Sequence, residues 1–197
     1  ILLISKFKLL RLLTFLISLL LMVFLTYTND DIRERNIDHT INQMNLNSDK
    51  NDIILFSAEH QKIYNNAILI FRDNPILGVG PKLFRKYCKN ETIDSKSYQC
   101  STHPHNTYLQ LLSETGIIGF IFIIICFIYI IWLMLRHGLS LIKGKNNLID
   151  DYRICILICF FITLWPLIPS QSFYNNWINI IYFLPVGFYL NSFSKKD

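Results

Sequence analysis

Gly116-Ile-Ile-Gly-Phe-Ile-Phe-Ile-Ile-Ile-Cys-Phe-Ile-Tyr-Ile-Ile-Trp-Leu-Met-Leu135 contains no charged residue. About 20 residues at ~1.5 Å rise cross a ~30 Å hydrocarbon core, so this stretch predicts a membrane-spanning helix by itself. Working outward, three further apolar runs occur: Leu12 to Tyr27, Ile154 to Ile168 and Trp177 to Leu190. The first reaches spanning length with Leu9 and Leu10. The last two are short, and become adequate when Pro169, Ser192 and the amphipathic rings of Tyr152, Trp165, Tyr174 and Trp177 lie in the headgroup belt. A shallow re-entrant hairpin is the alternative for that pair. With 52% apolar and only 17% charged residues, the chain is neither a water-soluble globule nor disordered. The expectation is an all-α membrane protein with four transmembrane helices and a large, mainly helical loop between the first and second.

The charges agree with four spans. Lys6, Lys8 and Arg11 precede the first run, Arg136, Lys143, Lys145 and Arg153 separate the second from the third, and Lys195 and Lys196 follow the fourth. All fall on one side, which the positive-inside rule makes cytoplasmic. Residues 28–115 then lie outside, with nearly balanced charge. The domain reading is 1–28 as cytoplasmic N-terminus and first span, 29–115 as an outer loop domain, and 116–197 as the remaining spans. A net charge of +5, distributed this way, is no nucleic-acid footprint. The first residue is Ile1 and no small-residue cleavage site follows the first apolar run, so the chain reads as the C-terminal piece of a longer polytopic protein.

Within the loop, Asn29 to Asp52 is polar and weakly periodic, which predicts loop or short helical turns. From Ile53 the pattern changes. Phe56, Ile63, Ala67, Ile70 and Phe71 recur at helical spacing, Ser57 can cap, and Asn74-Pro75 stops the run. An amphipathic helix from about Ser57 to Arg72 follows. The next segment, Asn74-Pro-Ile-Leu-Gly-Val-Gly-Pro81, reads as a tight turn; its Gly-x-Gly has neither a preceding strand nor a third glycine and is no dinucleotide fingerprint. Lys82, Arg85, Lys86 and Lys89 then crowd a short stretch, as a solvated face or an anion site. Asn90-Glu-Thr92 matches a glycosylation triplet that matters only in a eukaryotic secretory context.

Cys126, Cys155 and Cys159 lie in apolar runs and read as small hydrophobes. Cys88 and Cys100 lie in the outer loop, where a disulfide is expected; closing a loop of about 13 residues contributes roughly 3 kcal/mol in the chain-entropy model. With His103 and His105 these thiols lack a zinc spacing, and no metal is predicted.

The most informative stretch is Thr102-His-Pro-His-Asn-Thr-Tyr-Leu-Gln-Leu-Leu-Ser-Glu-Thr-Gly-Ile-Ile-Gly119. Pro104 rigidifies the entry, His105 or Asn106 takes the cap position, and a helix runs from about Thr107 to Gly116. The positive end of a helix dipole disfavours imidazolium, so a histidine there tends to stay neutral and can accept a proton. The exposed N–H groups suit an anion such as a diphosphate. A helical segment from His105 to Gly116 spans roughly 16 Å, which sets the imidazole at the outer headgroup region. On the residues alone, a capping or hydrogen-bonding histidine at a membrane boundary is the bland alternative. Glu114, by its phase on the helix, is expected to pack beside the membrane rather than partner His105.

His105-Asn106, nine residues, Gly116, two residues, Gly119 is a pattern that resembles the O-antigen ligase and O-antigen polymerase family of bacterial envelope glycan enzymes. The 74–80 turn and Phe173-Tyr-Asn-Asn-Trp177 are also similar, and the resemblance covers residues 53–191. It implies a polytopic inner-membrane glycosyltransferase that moves a glycan from undecaprenyl diphosphate to an acceptor, lipid A core or another glycan, at the periplasmic face. No cofactor, nucleotide sugar or metal is implied. His105 matches the family's essential histidine, with Asn106, His103, Gly116 and Gly119 in support. Arg72 and Arg85, assisted by Lys82 or Lys86, are the candidates for gripping the leaving diphosphate, because a guanidinium fork matches phosphate oxygens. Relatives often carry Arg before the amphipathic helix, where this chain has Glu59-His60-Gln61-Lys62.

Ligase and polymerase differ in acceptor, which the motif does not decide; oligomeric state is likewise unassigned. A transporter or flippase fragment is the rival class, and would place charges or broken helices at mid-membrane, where these runs have no Asp, Glu, Lys or Arg. A non-enzymatic interaction protein would instead expose an apolar patch on the loop, whereas an enzyme predicts a cationic cleft centred on His105.

Overall fold

A computed structural model describes residues 3–4, 7–43, 56–90, 100–144 and 148–194. Every regular element among them is helical. The chain divides into two compact units, Ile1–Gln61 and Lys62–Asp197.

In the first unit, α1 (Lys8–Thr28) runs 21 residues and buries none of them. Leucines and phenylalanines emerge all around it, the pattern of a helix suited to lipid. Asn29 ends α1 and caps α2 (Asp30–Arg33), its side chain accepting from the Ile32 N–H at 3.2 Å. A π-helical turn over Glu34–Asp38 leads into α3 (His39–Gln43). The polar stretch predicted as loop or short turns is thus short helical turns as far as it is described. Residues 44–55 and 91–99, including most of the glycosylation triplet, lie outside the described residues. Ser57 opens α4 (Ala58–Asp73), accepting from the His60 N–H at 3.4 Å through its hydroxyl and from the Gln61 N–H at 2.9 Å through its carbonyl.

In the second unit, Ile63, Ala67 and Ile70 occupy one face of α4 at positions i, i+4 and i+7 and are buried with Val79, Phe84 and Cys88, Leu109 packing alongside. Phe84 opens α5 (Phe84–Asn90) and is fully buried, which stabilises by about 2–3 kcal/mol. The long α6 (Thr107–Ile142) is broken at Gly116, whose φ of 65° and ψ of −161° are not helical. A break frees backbone groups that must find other partners. The 75–80 turn supplies them: the Val79 N–H donates to the Ser113 carbonyl at 3.1 Å, the Gly80 N–H to the Glu114 carbonyl at 2.8 Å, and the Ile117 N–H to the Pro75 carbonyl at 2.9 Å.

That reciprocal fit explains both glycine signals. A Cβ on Gly116 would lie 2.3 Å from the Ile76 carbonyl oxygen, and one on Gly78 only 2.4 Å from the Glu114 backbone. Gly119 has no room either: its Cβ would lie 2.0 Å from the Thr115 hydroxyl oxygen and 2.7 Å from the Thr115 Cβ. Glu114 departs from the expectation that it packs beside the membrane. It is 0% exposed, accepting from the Phe84 N–H at 2.9 Å and from Gln110 Nε2 at 3.0 Å. The first N–H groups of α5 need acceptors that helix geometry cannot give, and the carboxylate provides one.

The expected third and fourth spans fold as α7 (Asp151–Thr163), of 13 residues, and α8 (Asn176–Ser194), of 19 with Pro185 inside. α7 covers only about 20 Å, less than a hydrocarbon core. Among the described residues, α1 and α6 are long and apolar enough to cross a membrane. The 164–173 connection is stitched to the start of α6: Tyr108 Oη donates to the Leu164 carbonyl at 2.6 Å, the Ser170 N–H to the His105 carbonyl at 2.8 Å, Gln110 Nε2 to Ser172 Oγ at 3.0 Å, and the Phe173 N–H to Gln110 Oε1 at 2.8 Å.

Candidate functional site

Of the two possible caps, Asn106 is the one used. Its Oδ1 accepts from the Tyr108 and Leu109 N–H groups at 3.0 and 3.1 Å, while its Nδ2 donates to the Pro166 carbonyl at 2.7 Å. His105 therefore stands just ahead of the α6 N-terminus. Its φ is +57°, and Lys82 has φ +62°. Phe7 is the other positive-φ residue besides glycine among the described residues. The left-handed region costs a side-chain-bearing residue about 1–2 kcal/mol, and such strain gathers where surrounding structure holds a functional group in place.

The His105 ring is set by two neighbours. Its Nε2 lies 3.0 Å from the Ser101 hydroxyl, and its centroid is 4.1 Å from that of His103. His103 Nδ1 is 2.9 Å from the Thr102 hydroxyl, while its Nε2 is buried with no hydrogen bond of normal geometry. Burial holds the His103 pKa below its usual value, and the adjacent His105 lowers it further; the Ser170 backbone offsets this in part. His103 is thus held toward the neutral form.

A cavity of about 500 Å³ opens beside this pair. Lys82 and Arg85 contribute one part of its lining and Thr102 and His103 another; the rest comes from the Gln171–Trp177 segment. His105 meets it through His103 rather than lining it. Arg72 and Lys86 are exposed and outside the lining, and Lys62, half-buried, is outside it too. Thus Lys82, Arg85 and His103 share the cavity with His105 behind His103, and Arg72 and Lys86 do not join them. His60, the other residue near the missing family arginine, is 2.7 Å from the Ser57 hydroxyl through its Nδ1. Tyr174, also in the lining, has its pKa pushed up to about 12 by burial and by the Glu114 carboxylate, with Thr115 a small offset, so it remains a neutral O–H.

Cys88 and Cys100 form a disulfide with Cα atoms 5.5 Å apart. It joins α5, which carries Arg85, to the segment leading into His103 and His105. Cys126, Cys155 and Cys159 are free. Among the described residues no cluster of three or more His, Cys, Asp or Glu side chains is arranged for a metal ion.

A second, apolar groove of about 780 Å³ runs between α6, α7 and α8, with Leu111, Ile118, Phe122, Leu157, Phe183 and Val186 among its walls. The two spaces share one turn: Ser172 and Tyr174 line the polar cavity and Phe173 between them lines the groove. Sequence reasoning missed Gln110, Glu114 and the 171–177 wall. The Phe173–Trp177 string was visible as a resemblance, without any signal that it folds back beside Arg85.

This is a helical protein with apolar helices of membrane-spanning length and a polar, cationic cavity abutting an apolar groove. The family model described as O-antigen ligase matches residues 1–124, more than half of the 197-residue chain, and the chain belongs to that family of membrane glycan enzymes. The match includes His105, Asn106, Gly116 and Gly119 and ends within α6. No curated protein and no solved structure matches the chain.

Proposed function

We propose that the protein transfers a glycan from an undecaprenyl-diphosphate carrier to an acceptor sugar at the periplasmic face of the bacterial inner membrane, in a four-span arrangement with residues 29–115 outside. The observation that carries this reading is the shared 172–174 turn. An amphiphile with an anionic head and an apolar tail would lay its head in the Lys82–Arg85–His103 cavity and its tail along the α6–α8 groove.

Lys82 and Arg85 hold the diphosphate oxygens, with Arg85 offering two parallel N–H donors. His105 takes the proton of the acceptor hydroxyl as that oxygen attacks the anomeric carbon. The bond from that carbon to the diphosphate oxygen breaks, and the leaving charge stays with the two cations. His103, held toward neutrality, leaves its neighbour free to accept a proton. In this reading Arg72 and Lys86 act at a distance, through the field around the cavity.

Incubating the purified full-length protein with lipid-linked glycan, and either lipid A core or a second lipid-linked unit, tests the reading. Transfer to the core identifies a ligase and transfer to the second unit a polymerase. Absence of transfer to either acceptor contradicts it.

A further inference from the structure

The cavity has a second chemical character that the diphosphate does not use. Beyond Lys82, Arg85 and His103, its lining includes Gln171, Asn176 and Trp177. Trp177 is 78% exposed, a large apolar surface to leave on a polar cavity. Its position is fixed from below: the Asn175 N–H donates to the Ser172 carbonyl at 2.9 Å, and Asn175 Oδ1 accepts from the Trp177 N–H at 3.1 Å, capping α8. With the Asn175 side-chain oxygen committed to that cap, the amides left to a ligand are those of Gln171 and Asn176. No carboxylate lines the cavity.

An indole and two planar amides on one cavity lining, each amide offering both a donor and an acceptor, match one ligand chemistry well. A pyranose ring presents an apolar face of C–H groups to an aromatic plane and hydroxyl or acetamido groups at its edge to amides. A charged group would instead call for the cations on the other part of the lining. The volume of about 500 Å³ is within the roughly 300–1,000 Å³ range of small-molecule sites.

We propose that Trp177, Gln171 and Asn176 form a subsite for a neutral pyranose ring next to the cationic part of the cavity. The site then reads a sugar as well as an anion. This rests on the cavity being the place of glycan transfer. The ring belongs either to the donor glycan or to the acceptor, and kinetics separate the two.

The test uses full-length protein in nanodiscs and two readouts. The first is binding of the lipid-free oligosaccharide, which lacks the diphosphate. The second is KM for donor and for acceptor. Trp177→Ala weakens oligosaccharide binding by about two- to tenfold, the range that aromatic stacking supports, whereas Trp177→Phe restores most of it. Asn176→Ala lowers the same affinity, and binding of inorganic diphosphate stays unchanged in all three variants. A raised donor KM assigns the ring to the donor, and a raised acceptor KM assigns it to the acceptor. Equal oligosaccharide binding and equal KM values in wild type and Trp177→Ala overturn the subsite, with transfer itself still standing. Trp177-dependent oligosaccharide binding in a protein that transfers nothing would contradict the proposed function and leave the subsite in place. If Trp177→Ala only lowers nanodisc incorporation while binding per molecule is unchanged, Trp177 is a bilayer anchor and the proposal falls.

Discussion

α1 and α6 are both long, apolar helices, and by hydropathy they are nearly interchangeable. Their surroundings are not. α1 buries no side chain. α6 buries Tyr108, Gln110, Ser113 and Glu114 in its first turns, then breaks at Gly116 before its apolar length begins. The contrast separates two properties that hydropathy merges. An apolar helix needs only lipid around it, whereas a helix that carries a site needs a polar end locked to other chain segments. Here the lock is the 75–80 turn, whose N–H and carbonyl groups replace those lost at the break.

The largest expected effect strikes the locked end of α6. His105→Gly lowers glycan transfer by about 10²–10⁴, the usual contribution of a general base, while thermal stability is kept because glycine accepts the left-handed backbone. His105→Ala lowers transfer as much and leaves the backbone cost as it is, because histidine and alanine both carry a Cβ in the left-handed region. If His105→Gly transfers normally, the imidazole is not the base and the contrast loses its functional half.

Gly116→Ala comes next. Its Cβ meets the Ile76 carbonyl in a backbone region that L-residues avoid, so denaturant unfolding should show a loss of roughly 3 kcal/mol. Gly187→Ala in α8 meets nothing within 4 Å and should be neutral or slightly stabilising, and Leu20→Val on exposed α1 should change stability by less than about 0.5 kcal/mol. Equal losses at Gly116 and Leu20 would show that α6 and α1 are held alike.

Arg85→Ala and Arg72→Ala sharpen the comparison at the cavity. Loss of a charge-assisted hydrogen bond at Arg85 raises the donor KM by about tenfold or more, whereas Arg72→Ala, outside the lining, has the smaller effect. The reverse order, read from initial rates over a donor titration, would move the anion site toward α4.

The smallest effect is in pH. The folded-state pKa of His103 is lowered, so between that value and about 6.5 the unfolded chain binds more protons than the folded one. Its contribution to stability is complete above about pH 6.5 and is lost as pH falls through the lowered value. His103→Gln should remove this part of the acid slope in thermal melts, and an unchanged slope would rule out His103 as its source.

Much of this was legible in advance. Periodicity and Asn74-Pro75 predicted a helix over Ser57 to Arg72, and it is found at Ala58–Asp73. The apolar run from Gly116 predicted a spanning helix, and the His-Asn pattern pointed to the family that the comparison identifies. Other features depend on contacts far apart in sequence. Nothing in Gly-Val-Gly at 78–80 names Ser113 and Glu114 as its partners, and the phase of Glu114 alone hid its bond to Phe84, 30 residues away. The left-handed backbone of Lys82 and His105 is invisible because neither residue type calls for it. The short α7 shows why marginal apolar runs resist counting: a 15-residue stretch fits a span, a half-span or a hairpin equally well until its neighbours are known.

The most direct test is a structure of the full-length protein with a lipid-diphosphate-linked glycan bound. Diphosphate density within hydrogen-bond reach of Lys82 and Arg85, with the isoprenoid tail passing Phe173 into the α6–α8 groove, is the predicted result. A diphosphate held elsewhere, with that cavity left to solvent, would contradict the account.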